Sequence, residues 1–307
     1  MNYYIGNTDF GWFSYLKQLN PEDVNFWQPG GLSHFKAIVS GSPFLFKLKS
    51  PINKIAGIGF FTSHSILPIN FAWEIFKRRN GTDNYGQFYS KIKSYRDASN
   101  PIEKNQNIGC IVLTNPVFFN QEDWITLPDN WSGNIVQGKT YNTENEYDRI
   151  YWNQVNSVIL KYSIYQSSDL ASEPLPSYNK YLTNVRIGQG AFRVWVTDAY
   201  SRRCAISGER TLPVLEAAHI KPYSAFGINT TNNGLLLRAD LHKLFDSGYI
   251  TVTDKYSVEI SRKIKEEFEN GKDYYKFHGQ SLISKPQNNF DLPNKEFLSW
   301  HNENVFR

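Results

Sequence analysis

The sequence predicts a two-domain α+β protein, and three observations carry that expectation. The first half alternates short apolar runs, broken by Gly, Pro and Ser, with stretches of helical spacing. A polar, proline-containing stretch then interrupts all periodicity. Beyond it come a strand, a polar loop, a second strand and a short helix in close order. A chain of 307 residues is long enough for two ordinary domains, which run to roughly 100–200 residues each.

Taken in order, "FKAIVSG", "FLFKLKS" and "KIAGIGFF" are short, apolar and punctuated, as strands are. The Gly57 and Gly59 pair in the third marks a bulge or a close backbone approach. "INFAWEIFKRRNG" suits a helix, with Phe71, Ile75 and Phe76 apolar, Arg78 and Arg79 near its end and Gly81 behind. A strand "NIGCIVLTNPVFF", the Trp-containing "EDWITLPDNW" and a closing helix "YDRIYWNQVNSVILKYSIY" complete a first domain over 1–165. "QSSDLASEPLPSYNKYL" opens a linker assigned to 166–183. The second domain, 184–307, starts with "GQGAFRVWVTDAYSRRCAIS", which puts Phe192, Val196 and Ala199 on one helical face. Its last 50 or so residues read as a strand, a charged helix "SRKIKEEFENG" and a tail. No internal repeat is visible.

Composition narrows the function classes. The chain is 40% hydrophobic and 20% charged, with a mean hydropathy of −0.49. The net charge of +4 permits nucleic acid without diagnosing it. Aromatics make up 16%; such side chains fill cores, and they also stack on unstacked bases. No apolar run approaches the ~20 residues that span a bilayer. The N-terminus lacks a basic region followed by an apolar stretch, so a secretory signal is not expected and the cytosol is the expected setting. Cys110 and Cys204 are far apart, which leaves no disulfide framework and no ribbon of paired CxxC motifs. In that setting the sequons at Asn80, Asn130 and Asn229 carry no meaning. "GQG" at 188–190 follows no convincing strand, so a nucleotide-binding loop is not expected.

The chemistry concentrates in "VLEAAHIKPYSAFGINTTNNGLLLRADLHKLFDSG". "VLEAAHI" is a strand ended by Pro222, "GLLLR" a second strand, and "ADLHKLFDSG" a helix stopped at Gly248. That order can bring His219 close to His242. His242 and Asp246 are four apart, so they share a helix face and can grip one cation. Phosphodiester hydrolysis needs a base to activate water and a cation to absorb developing charge. A histidine, with a reference pKa near ~6.5, is a suitable base at neutral pH.

This segment, with "RCAISG" before it and "SWHNENVF" behind, resembles the HNH, or ββα-metal, nuclease family. The likeness covers roughly Gly188 to the C-terminus, in the subgroup that supplies cleavage domains to modification-dependent restriction enzymes. It implies His219 as general base, Asn233 as the brace of the loop that aims it, and His242 as a ligand to one Mg²⁺ or Mn²⁺ ion per site, with Asp246 a candidate second ligand. Many relatives place an Asp or His ligand just before the base, where this chain has Ala218. Strand alternation puts Glu216 on the face of Ala218. Glu216 then either replaces the missing ligand or pairs with an arginine such as Arg203 or Arg238. Arg193, Arg202 and Arg203 flank the entry helix and would contact DNA phosphates or form a solvated face.

The first half, with its "YYIGNTDFGWF" and "FLFKLKSPINKIAGIGFF", resembles a PUA-superfamily β-barrel with helices, of the EVE, ASCH or YTH-like kind, over roughly residues 1–160. That likeness implies a flipped base read in an aromatic pocket. Trp12, Trp27 and Trp73 are candidate walls, with core packing the competing role, and Asn7, Asp9 and Ser63 are candidate readers of a base edge. Together the two resemblances imply an endonuclease that recognises methylated or hydroxymethylated cytosine in double-stranded DNA and serves in defence against phage. One HNH site cuts one strand, so a double-strand break implies a homodimer or sequential nicks. The rival readings are a modification-independent HNH nuclease and a non-catalytic DNA or RNA reader whose HNH fold is degenerate.

Overall fold

The computed structural model describes residues 1–97, 99–167, 189–225 and 229–307, and the chain divides into two compact units, 1–191 and 192–307. It is mixed α+β, as expected. The expected linker lies outside the described residues from 168 onward, while Gln166 and Ser167 still belong to a helix.

The first unit contains strands β1 (Asn2–Thr8), β2 (Asp23–Gln28), β3 (Pro43–Leu48), β4 (Lys54–Pro68), β5 (Asn107–Phe118), β6 (Ile125–Thr126) and β7 (Gly138–Asn142). Its helices are α1 (Phe10–Leu19), α2 (Ile69–Phe76), α3 (Tyr85–Ser94) and α4 (Glu146–Ser167). The sheet runs β2-β5-β4-β3-β1-β7, with β6 beside β4, and only β1 and β3 pair in parallel. It curls until rings from strands far apart in that order meet, Phe26 of β2 lying 4.7 Å from Phe44 of β3. The two end strands, β2 and β7, do not pair with each other. The barrel is therefore left open along one seam.

Strand alternation sends side chains to two cores. Tyr4, Phe44, Phe46 and Phe61 pack with Trp12, Phe13 and Leu16 of α1. Tyr3, Ile5, Leu45 and Phe60 pack with Tyr151, Trp152 and Val155 of α4. Gly57 is required by a close approach, because a Cβ there would stand 2.5 Å from the Val117 carbonyl oxygen; the neighbouring β4 pairings shift register. One expected strand is absent. "FKAIVSG" is irregular, since within it only Ile38 is buried and Val39 is exposed, so it has no apolar face to lay on a sheet.

In the second unit, β8 (Leu215–His219) and β9 (Gly234–Arg238) form an antiparallel pair. Helix α5 (Gln189–Ala199) precedes them and α6 (Ala239–Asp246) follows at once. Phe192 and Val196 enter the core as their helical spacing required, with Ala199 packed against it. The thiol of Cys204 is buried there and accepts from the backbone N–H groups of Ser207 and Arg238. The tail is not irregular: Lys295–Asn304 is a helix whose Leu298 and His301 are buried. His301 is stacked on Phe245 at 3.8 Å, and burial pushes its imidazole down to about 4.

Phe46 meets Trp12 at 5.5 Å and Phe118 at 5.6 Å with no exposed surface. Phe46→Ala is expected to cost about 3–5 kcal/mol of stability, as buried aromatic truncations do, read from the urea midpoint of the first unit's transition.

Candidate functional site

Register places His219 opposite Gly234 at the end of the β8–β9 pair. A Cβ on Gly234 would fall 2.3 Å from Val196 and 3.1 Å from Phe192, so only glycine lets that helix face lie flat on the strand. Phe192 then stacks on the imidazole of His219 at 3.9 Å and 11°. His219 Nε2 lies 2.7 Å from the side-chain oxygen of Asn229. An amide oxygen only accepts, so this contact puts the ring proton on Nε2 and leaves Nδ1 with the lone pair. Asn233 is fully buried. Its side chain accepts from Lys221 N–H at 2.9 Å and donates to Lys221 C=O at 2.9 Å, while its own carbonyl accepts from Ile220 N–H at 2.9 Å.

His242 stands on α6 between two carboxylates. Its Nδ1 is 2.7 Å from Glu216 Oε2 and its Nε2 is 3.2 Å from Asp246 Oδ2. Arg238, one of the arginines weighed as a partner for Glu216, is held by Asp240 at 2.6 and 2.7 Å instead. Ala218 is buried in the core while Glu216 is half-exposed, because a short two-stranded ribbon twists strongly and the two residues do not share one environment. Among the described residues no three His, Cys, Asp or Glu side chains come together as a metal-binding group. The expected set of His242, Asp246 and Glu216 therefore reduces to a pair, with Glu216 on the opposite ring nitrogen. That pair still suits a hard cation that keeps most of its waters and takes one or two protein donors.

Burial pushes the His219 imidazole below its ordinary value, and the neighbouring His242 imidazole adds to this; the Asn229 hydrogen bond and Asp246 work the other way. Burial raises the Asp246 carboxyl, aided by Glu216, against the opposing pull of His242 and His219. The arginines are mostly engaged. Arg193 donates to the Leu215 carbonyl at 3.3 Å, Arg202 lies 3.7 Å from Asp198, and Arg203 is half-buried beside the Cys204 turn.

The first unit holds a cavity of about 250 Å³ beside its open seam, smaller than the roughly 300–1,000 Å³ clefts that take drug-sized ligands. Trp12, Trp27, Asn7 and Asp9 all line it, together with Tyr4, Phe26, Gln28, Lys49, Tyr95, Val136 and Gln137. Trp12 and Trp27 donate their indole N–H groups to the carbonyls of Asn25 and Asn80, which fixes both rings. Asp9 caps α1 through Trp12 N–H and meets Lys91 at 2.7 Å and the Tyr95 hydroxyl at 3.2 Å. Burial acts against its charge, but these partners hold the carboxyl below the usual range. Trp73 and Ser63 lie elsewhere. Trp73 packs on Phe88 and Tyr85, and Ser63 sits opposite Val112 in β4 with its hydroxyl buried.

Residues 204–253 match the family model HNH_2, HNH endonuclease. The chain carries an HNH domain. No curated protein matches the chain. Among solved structures, the ASCH protein of Zymomonas mobilis aligns over 48% of this chain and 93% of its own, with 8% identity and a TM-score of 0.34. The modification-dependent restriction endonuclease TagI aligns over 87% of this chain and 63% of its own, with 12% identity and a TM-score of 0.27. No helix among the described residues is long and apolar enough to cross a membrane.

Sequence reasoning missed Asn229, dismissed as part of a sequon; the signal available was its place in the loop that returns to Asn233 of the HNH domain. It also missed Tyr95, Gln28 and Lys49, which reach the cavity from segments without a motif. Asn233→Ala leaves both backbone groups of Lys221 without their partner, so a loss of about 1–3 kcal/mol is expected, measured by urea denaturation.

Proposed function

We propose that the chain is a DNA endonuclease that cuts near a modified base, with the HNH domain as the cutting site and the first-unit cavity as the reader. The observation that carries the cutting role is the Nε2 contact of His219 with Asn229, which leaves Nδ1 as the base. In this reading Nδ1 takes a proton from the attacking water. Phe192 holds the plane of the ring, Asn229 its tautomer, and Asn233 the chain that follows it. A divalent ion, Mg²⁺ or Mn²⁺, at His242 Nε2 and Asp246 Oδ2 would stabilise charge developing on the phosphate and leaving oxygen. Glu216 acts one step out: its carboxylate accepts a hydrogen bond from His242 Nδ1–H, which would leave Nε2 with the lone pair to hold such an ion, as carboxylates behind metal-bound histidines do. Arg203 is the arginine left to meet phosphate.

The reader role rests on the cavity. Two fixed indoles, with Tyr95 and Phe26, offer flat apolar walls, and Gln28, Gln137 and Lys49 supply polar groups. A base rotated out of a duplex costs a few kcal/mol, and stacking on aromatic rings returns about 1–3 kcal/mol. Methylated or hydroxymethylated cytosine is the proposed ligand, and defence against phage DNA the proposed role. One such site cuts one strand, so a double-strand break takes two copies or two sequential nicks.

Digestion of methylated, hydroxymethylated and unmodified DNA with Mg²⁺ or Mn²⁺ is the test. Cutting confined to modified DNA is expected; equal cutting of every substrate removes the reader role. His219→Ala is expected to lower the rate by about 10²–10⁴-fold, the usual worth of a general base, with DNA binding retained.

The pH profile follows from the direction of the His219 shift. A lowered pKa keeps the imidazole neutral, and competent as a base, below the ordinary histidine value of 6.5. The acid limb of kcat/KM is therefore expected below 6.5. Asn229→Ala removes a contact that favours the protonated ring, so the limb should move lower still while the rate falls about tenfold or more, a share of the general-base contribution.

Glu216→Gln is expected to weaken Mn²⁺ binding by about 10–100-fold, read by calorimetry on the intact chain, with the His219 acid limb unmoved. Unchanged Mn²⁺ affinity would remove Glu216 from the site.

A further inference from the structure

We propose that Val136 is an apolar wedge that enters the base stack of a duplex beside the nucleotide held in the cavity; this rests on the reader role proposed above. Val136 lines the cavity, yet it is 84% exposed. Its side chain stands in water at the lip of an aromatic cavity. What surrounds it is a rigid mount. The side-chain amide of Asn7 donates to the carbonyls of both Ile135 and Val136, at 2.7 and 3.0 Å. The backbone N–H of Asn7 donates to Gln137 C=O at 2.8 Å. Three successive carbonyls are thus gripped by one residue of β1, and the side chain between them is thrust outward.

The opposite lip is held in the same manner. Arg96 donates to Pro29 C=O at 2.7 Å, and the amides of Asn100 and Asn105 donate to Gly30 C=O at 3.0 and 3.2 Å. Gln28 reaches Gln137 at 3.4 Å, tying β2 to the segment that leads into β7. Asn7, a candidate reader of a base edge, spends both amide protons on this mount and keeps its side-chain oxygen without a partner among the described residues. Lys49, with its ammonium 4.5 Å from the Tyr95 ring centre, is a cation among the lining residues.

A fixed aliphatic knob beside an aromatic slot matches one partner chemistry, a base stack with a gap. Proteins that open nucleic acid insert apolar side chains between base steps to offset the unstacking they impose. The knob is useless on a single strand, which has no stack to hold open. That difference makes the proposal testable.

The test measures binding by the full chain in a His219→Ala background, which prevents cutting. Oligonucleotides carrying 5-methylcytosine, 5-hydroxymethylcytosine or no modification are offered as duplexes and as single strands. Val136→Ala is expected to weaken the best-bound modified duplex about tenfold, equivalent to about 1.4 kcal/mol, and to leave the matching single strand unchanged. Val136→Met should restore duplex binding. Tyr95→Ala, in the cavity wall, should weaken both forms. If Val136→Ala weakens both forms equally or neither, while Tyr95→Ala still weakens both, the wedge is overturned and the reader stands. If no modified oligonucleotide outbinds the unmodified one in either form, the reader role is overturned and the wedge with it.

Discussion

A residue that leaves a strand must still satisfy its N–H and C=O, and at Lys221 both go to one side chain, the buried amide of Asn233. Because Asn233 also anchors Ile220 through its backbone carbonyl, the chain just after His219 is tied to the start of β9. The rest of the site depends on this tie. It sets where the imidazole stands, and hence what can stack on it and what can bond its far nitrogen. An unpaired buried polar group costs about 1–3 kcal/mol, so the amide holds Lys221 to this one course.

The first unit solves a different problem with the same means. A sheet that closes fully has no edge and no opening through its wall. Here β2 and β7 do not pair with each other, and the gap is spanned by side chains: Gln28 to Gln137 across the seam and Asn7 along the lip. The indoles that face the cavity are themselves tethered through their N–H groups. A tethered ring keeps its face available without collapsing onto the opposite wall. Core packing and pocket wall were competing roles for Trp12, and the structure shows that one ring can be deeply buried and still line a cavity.

Much of the second unit was legible because its chemistry and its folding use adjacent residues. The β-loop-β-helix order, the helix stop at Gly248 and the apolar face of α5 follow from spacing alone. Asn229 was not legible, since nothing local marks it; only the register that sets His219 opposite Gly234 brings the loop back over the ring. In the first unit the long strands and the helices α2 and α4 could be read, as could a tight approach at Gly57, whereas α1 and α3 were missed. The seam could not. Which strands remain unpaired depends on curvature and register over the whole sheet, and "DVNFWQ", which became β2, lacks strict alternation. Trp73 failed as a wall candidate for a related reason: its polar setting comes from its helix, which turns the ring toward Phe88 and Tyr85.

The residue before His219 points into the core, where Ala218 is fully buried. A ligand placed there would need to be desolvated or to distort the strand. Moving the carboxylate two residues back, to Glu216, puts it at the half-exposed end of a twisted ribbon, within reach of the helix. From there it meets the inner nitrogen of His242, on the other side of the ring from Asp246. A carboxylate hydrogen-bonded to an imidazole makes the opposite nitrogen a better donor to a cation. In the proposed site the carboxylate therefore acts on His242 through the ring, on the side away from Asp246.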